Sequence, residues 1–191
     1  MNTSARIKTA ALDLFAAQGY EGTSMAQIAE EVGIKTPSIY AHFKGKEELF
    51  LSVLQDASKE ELAFATAHLD ADPDQPLHGK LYNLLLYFRD KYEHDNGAKF
   101  WIRMMYFPPT ALYKESMELA YVYLGKLEEL LTAVFENNRI SIAVDAGTAA
   151  AAYLCLMDGM IVELLYGTPA SFERRLDASW EVFKRGISPS S

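Results

Sequence analysis

The sequence predicts an all-α fold of about nine helices, and three observations carry that prediction. Apolar side chains recur at helical period in almost every segment of the 191 residues. No apolar–polar alternation is sustained long enough for a strand. Glycine and proline, 11 and 7 in number, punctuate the chain sparsely and mark off segments of helical length. There is no internal repeat and no low-complexity segment; only the closing Ser-Pro-Ser-Ser reads as disordered.

The first helix is expected from Ser4 to Gln18. Ile7, Ala10, Ala11, Leu14 and Phe15 share one face, and Gly19 is placed to end it. Thr23 or Ser24 caps a second helix, MAQIAEEV. Gly33-Ile34-Lys35 is a turn, and Thr36 caps a third helix with Pro37 at its first position, where a missing N–H costs nothing. That helix is expected to end near His42-Phe43. A fourth runs from Lys46 to about Leu69, and the Asp- and Pro-rich stretch from Asp70 to Pro76 leaves it as a loop. Leu77–Glu93 is the fifth helix and Ala98–Phe107 the sixth, ended by Pro108-Pro109. Thr110 opens a long seventh helix to about Asn137. Asp145 caps an eighth to about Tyr166, and a ninth spans roughly Ser171–Gly186.

Half of the residues are hydrophobic, enough to build a core in one large or two small domains. The single cysteine, Cys155, excludes an internal disulfide framework and a Cys-based zinc site, and it fits a reducing, cytoplasmic home. The N-terminus is amphipathic and lacks a signal-peptide pattern. The uncharged run from Ala146 to Met157 meets Asp158 before reaching the ~20 residues a bilayer needs, so no membrane partner is expected. No carboxylate pair, phosphate-cradling Gly loop or metal-spaced His cluster appears. Accordingly no catalytic residue, metal or cofactor is expected. Cys155 with His68 or His78 is the only imaginable nucleophile and base, and its mid-helix apolar setting predicts a buried, inert thiol.

The formal net charge is -8, yet it is unevenly spread. Met1–Lys46 carries five basic residues (Arg6, Lys8, Lys35, Lys44, Lys46) against four acidic ones (Asp13, Glu21, Glu30, Glu31). The remaining acidic excess lies beyond Lys46. Local charge, not whole-chain charge, governs attraction to phosphates.

The most informative stretch is Thr23–Phe43. A helix-turn-helix needs a small residue inside its first helix, a glycine able to turn left-handed, and a buried aliphatic residue in its second helix. Ala29, Gly33 and Ile39 stand at those offsets, with Ile28, Val32 and Ile34 packing around them. The plain alternative is a helical hairpin that happens to contain glycine. Against it, the exposed positions Thr36, Ser38, Tyr40 and His42, flanked by Lys35, Lys44 and Lys46, offer the hydroxyls, rings and ammonium groups that phosphates and base edges take.

The run TSMAQIAEEVGIKTPSIYAHFKGKEELF resembles the DNA-binding domain of the TetR family, most specifically through Tyr40-x-His42-Phe43 and Lys46-Glu47-Glu48-Leu49-Phe50. The likeness covers Ser4–Leu54 by motif. It implies a DNA-binding domain over 1–46 and an effector-binding and dimerisation domain over 47–191. Thr36, Pro37 and Ser38 are then the expected base readers. Tyr40, His42 and Lys46 are the expected phosphate contacts, with Lys35 beside them and Thr23 or Ser24 at a helix N-terminus. Ala41 departs from many relatives, which carry an aromatic or polar residue there.

Phe100, Trp101, Met104, Met105, Tyr106, Phe107, Tyr113, Met117, Tyr121 and Tyr123 crowd one stretch. An ordinary core with large side chains explains this, and so does an adaptable pocket lined by rings and methionines. The resemblance favours the pocket. Its expected lining is Tyr87, Phe100, Trp101, Arg103, Met104, Phe107, Tyr113, Met117, Tyr121 and Met157, with Arg103 orienting a polar or anionic group of a small apolar effector. Small residues on the eighth helix and an apolar stripe on the ninth suggest a homodimer through Ala151, Leu154, Gly159, Val162, Phe172, Leu176, Trp180 and Phe183; the stripe covering its own core is the alternative. A dimer would set two recognition helices about 34–36 Å apart on a near-palindromic double-stranded operator. Effector bound among helices five to eight is expected to shift the sixth helix and a Gly97 hinge, push on the fourth helix, and release the DNA. In the rival reading, the C-terminal domain senses a protein partner or nothing.

Overall fold

The computed structural model describes residues 2–72, 74–138 and 142–189. Among them the chain forms nine α-helices and no strand: α1 (Thr3–Gly22), α2 (Met25–Val32), α3 (Thr36–Ile39), α4 (Lys46–Asp70), α5 (Leu77–His94), α6 (Asn96–Tyr106), α7 (Tyr113–Asn137), α8 (Ala146–Tyr166) and α9 (Pro169–Ile187). A single 3₁₀ turn, Thr110–Leu112, leads into α7. The last two residues of the serine-rich tail lie outside the described residues.

Three boundaries differ from expectation. Gly19 does not end α1; it kinks it, at φ 74°, and the helix resumes to Gly22. The third helix stops at Ile39, and the chain continues as a turn whose His42 and Phe43 N–H groups both donate to the Ile39 carbonyl. Gly97 is no hinge between elements. It sits in the first turn of α6, because the Asp95 carboxylate accepts the Ala98 N–H at 2.7 Å and starts the helix early.

The chain divides into two compact units. The first joins Met1–Glu61 to His94–Val122; the second joins Leu62–Glu93 to Tyr123–Ser191. In the first, four rings from three helices interlock. Phe50 on α4 meets Phe15 and Tyr20 of α1 edge-on, at 5.1 and 5.0 Å between centroids, and Phe100 of α6 at 5.6 Å. Edge-to-face pairs of this kind are favoured by the ring quadrupole.

In the second unit α8 and α9 form a hairpin. Tyr153 is wholly buried and donates its hydroxyl to the Leu81 carbonyl at 2.7 Å. Phe172, Leu176, Trp180 and Phe183 point the α9 stripe into this unit's own interior. The corner between the two helices is tied by Glu163, which is 8% exposed; it accepts from the Ser171 hydroxyl at 2.6 Å and pairs with Arg175. By length and composition alone α8 is apolar enough to cross a bilayer. Its inward residues pack on α9 and α5, so we read it as a core helix. Cys155 corrects an expectation. Its thiol is exposed on the outer side of α8, because Tyr153 and Met157 take the inward positions on either side.

Candidate nucleic-acid interface

The helix-turn-helix is assembled as its sequence spacing requires. Gly33 ends α2 in the left-handed region (φ 73°, ψ 35°), a conformation that penalises any residue with a Cβ. Its N–H donates to Glu30 O at 3.0 Å, and the Ile34 N–H reaches back to Ala29 O at 2.9 Å. Arg6 of α1 completes the cap by donating to the Val32 carbonyl at 2.7 Å. Ala29 and Ile39 are 2% and 0% exposed, and Phe43 is buried beside them. These anchors hold the recognition segment from beneath.

Above the anchors, Lys35, Pro37, Ser38, Tyr40 and His42 are exposed and Thr36 is half-buried. Tyr40 is 54% exposed, high for an aromatic side chain, so its ring stands off the protein. Lys44 is exposed at the foot of the same edge. Hydroxyls, an imidazole, a phenol and two ammonium groups thus reach solvent, fully or in part, between residues 35 and 44.

Three of the expected contacts have partners within the protein. Thr23 is 2% exposed and donates its hydroxyl to Gly19 O at 2.9 Å, so its side chain faces the protein. Ser24 is the N-cap of α2: its Oγ accepts the Gln27 N–H, and the Gln27 side chain accepts the Ser24 N–H at 2.8 Å. Lys46 is half-buried, with Nζ donating to Tyr20 O at 2.8 Å and Thr23 O at 3.0 Å. Arg6 and Lys46 are the residues whose tethering roles the sequence did not reveal.

Residues 7–53 match the model of the bacterial regulatory proteins of the tetR family. Over those residues the chain carries the TetR-family N-terminal domain. Its N-terminal stretch is 50% identical over 44 residues to the HTH-type transcriptional repressor ComR of Escherichia coli, covering 23% of this chain and only about a fifth (21%) of ComR. A longer match, 24% identical over 164 residues, links 84% of this chain with 74% of the HTH-type transcriptional regulator SrpR of Pseudomonas putida. The fold is shared with SmeT, repressor of the Stenotrophomonas maltophilia multidrug efflux pump SmeDEF. There the TM-score is 0.75 at 14% identity, over 100% of this chain and 93% of that one.

The ten expected effector residues are divided between the two units. Tyr87 and Met157 belong to the second unit; Met157 is buried and Tyr87 stacks on Phe64, 3.4 Å between centroids. The other eight belong to the first. Among those, Phe100, Arg103, Met104 and Phe107 line one groove together with Phe15 and Tyr20 of α1. Trp101 is buried, Met117 half-buried, and Tyr113 and Tyr121 stand exposed on α7.

The eight expected dimer residues also separate. Ala151, Gly159 and Val162 face outward from α8 and Leu154 is half-buried. Phe172, Leu176, Trp180 and Phe183 are buried within the single chain. The outward apolar positions that the sequence reading missed are Val182, 73% exposed on α9, and Tyr166, 69% exposed on α8.

Proposed function

We propose that this chain is a TetR-type transcriptional repressor that binds a near-palindromic double-stranded operator as a homodimer and is released by a small apolar or aromatic effector. The observation that carries this reading is the recognition segment: Ile39 and Phe43 are sunk in the core while Pro37, Ser38, Tyr40 and His42 face solvent. Ser38, Thr36 and Pro37 are the proposed base readers, and Tyr40, His42, Lys35 and the N-terminus of α2 at Ser24 the proposed phosphate contacts. ComR and SmeT are both named as repressors, which supports the direction of control.

The homodimer is proposed through the outward side of α8 and α9. Ala151, Gly159, Val162 and Val182 combine small and apolar side chains there, which lets helices approach closely. The proposal places the protein in the cytoplasm, where its DNA is, and assigns it no enzymatic role. A protein-sensing C-terminal region is the second reading, favoured by one observation: Tyr113 and Tyr121 of α7 are turned to solvent.

Genomic footprinting with the purified protein tests the proposal. Protection of a two-fold sequence with half-sites about one helical turn apart is expected. Protection without dyad symmetry, or none at low salt, overturns it.

A further inference from the structure

The groove at the α1–α6 junction has a lining unlike an ordinary surface cleft. Phe15 and Tyr20 of α1 and Phe100, Met104 and Phe107 of α6 and its C-cap wall a space of about 290 Å³, at the lower edge of small-molecule sites, roughly 300–1,000 Å³. Phe107 remains 52% exposed at its mouth. The one cation in the lining is Arg103. Its guanidinium is exposed, has no carboxylate within ion-pair distance among the described residues, and makes one long contact, 3.4 Å, to the Ala16 carbonyl. That carbonyl lies just before the Gly19 kink.

From this geometry we infer that the groove binds a small monocarboxylate with an aromatic or short acyl body, and that its occupancy is felt directly by the DNA-binding end. The inference rests on the regulator reading and names its effector class and route. Phe107, exposed at the mouth, and the half-buried Met104 and Pro109 take the apolar body, over a floor set by the buried Phe15 and Phe100. The planar guanidinium takes the carboxylate in two parallel hydrogen bonds, a better partner than a neutral carbonyl at 3.4 Å. Glu21 on the same lining repels an anion close to it, so the ligand's carboxylate is placed at Arg103 and a further negative charge is disfavoured. Drawing Arg103 onto the ligand loosens its tie to α1 at the kink. Beyond the kink, Tyr20 and Thr23 lead straight into the Ser24 cap of α2. This route from α6 runs through α1.

The probe is 4-phenylbutyrate, compared with 4-phenylbutanol, which has the same body and no charge. Trp101, buried on α6, reports by fluorescence in a Trp180→Phe background, and ligand-observed NMR on the unaltered chain gives the same affinities without the substitution. The acid is expected to bind at least about tenfold tighter than the alcohol. Arg103→Ala is expected to erase that difference, leaving alcohol binding and the circular dichroism unchanged, and Arg103→Lys to restore part of it. The acid is also expected to weaken binding to a footprinted operator, and the operator to weaken the acid by the same factor. Equal affinity for acid and alcohol, indifference to Arg103→Ala, or an acid that binds without altering operator affinity overturns the inference. If operator binding holds while the acid fails to bind, only this inference falls; if no DNA binds at all, the regulator reading falls with it.

Discussion

Lys46 lies over the ring of Tyr20, with Nζ 4.1 Å from the ring centroid and 2.8 Å from that residue's own carbonyl oxygen. A second carbonyl, of Thr23, takes another of its protons. The first residue of α4 therefore caps the end of α1. The ammonium group neutralises the negative end of that helix and fills a place against an aromatic face.

Replacement of Lys46 by Ala is expected to cost about 1–3 kcal/mol of stability, since it removes a cation–π contact and two hydrogen bonds, leaving the Tyr20 carbonyl only the Thr23 N–H at 3.4 Å. Urea denaturation measures this. A variant as stable as the parent that still loses DNA affinity would instead assign Lys46 to phosphate contact alone.

The exposed edge predicts two kinds of mutant. Lys35→Ala and Tyr40→Phe are expected to weaken binding to every duplex alike, and Lys35→Ala to reduce the salt slope by about one. Ser38→Ala is expected to change which operators are preferred, by about 1–3 kcal/mol between the best and altered base pairs. Affinities for a panel of single-base operator variants at two salt concentrations separate these classes.

The α8–α9 corner is closely fitted around Gly167. A Cβ built there would lie 2.6 Å from Glu163 Oε2 and 2.7 Å from the Glu163 backbone oxygen. The backbone oxygen cannot swing aside, so Gly167→Ala is expected to destabilise by about 1–3 kcal/mol. A thermal melt reads this; a neutral result would mean the corner opens freely.

His78 carries a pH prediction. Burial, followed by the nearby Lys184, holds its pKa below the ordinary 6.5, and its Nδ1 is buried with no hydrogen-bond partner. The unfolded chain therefore binds this proton more readily than the folded one. Stability is expected to be full above about pH 6.5 and to fall as the pH drops below it, towards the lowered folded-state pKa. His78→Gln should flatten that part of the profile in melts between pH 5 and 8, whereas an unchanged slope assigns the loss to other groups.

The outer side of α8 and α9 predicts the behaviour of Cys155. If copies pair there, Val182→Asp is expected to give monomers in sedimentation and to raise the reactivity of the Cys155 thiol, which is exposed in the single chain. A parent protein that sediments as a monomer at tens of micromolar removes the pairing proposal.

Much of this was legible in the sequence, for a physical reason. Helical period and caps are local, so Ser24, Gly33, Asp145 and the MAQIAEEV helix appear where spacing puts them. The buried Ile39 beside exposed Ser38 and Tyr40 is equally local. Which surface an apolar face meets is a long-range matter. Periodicity showed that Phe172, Leu176, Trp180 and Phe183 share a stripe, but not that the stripe turns inward. The bonds from Lys46 to Tyr20 and from Arg6 to Val32 join residues 26 apart, and no spacing rule announces them. The apolar run around Cys155 conceals that residues two apart on α8 face opposite ways, so its thiol is outward while Tyr153 and Met157 are inward.

The ring of Phe100 closes the cluster that Phe15, Tyr20 and Phe50 begin, and it arrives from a segment about fifty residues after α4 starts. During synthesis the first four helices must therefore wait, with an unfilled aromatic face, until α6 has left the ribosome. A nascent chain halted before that point would be sticky and poor at holding its reading edge in place. Severing the head at its motif boundary would create the same condition permanently.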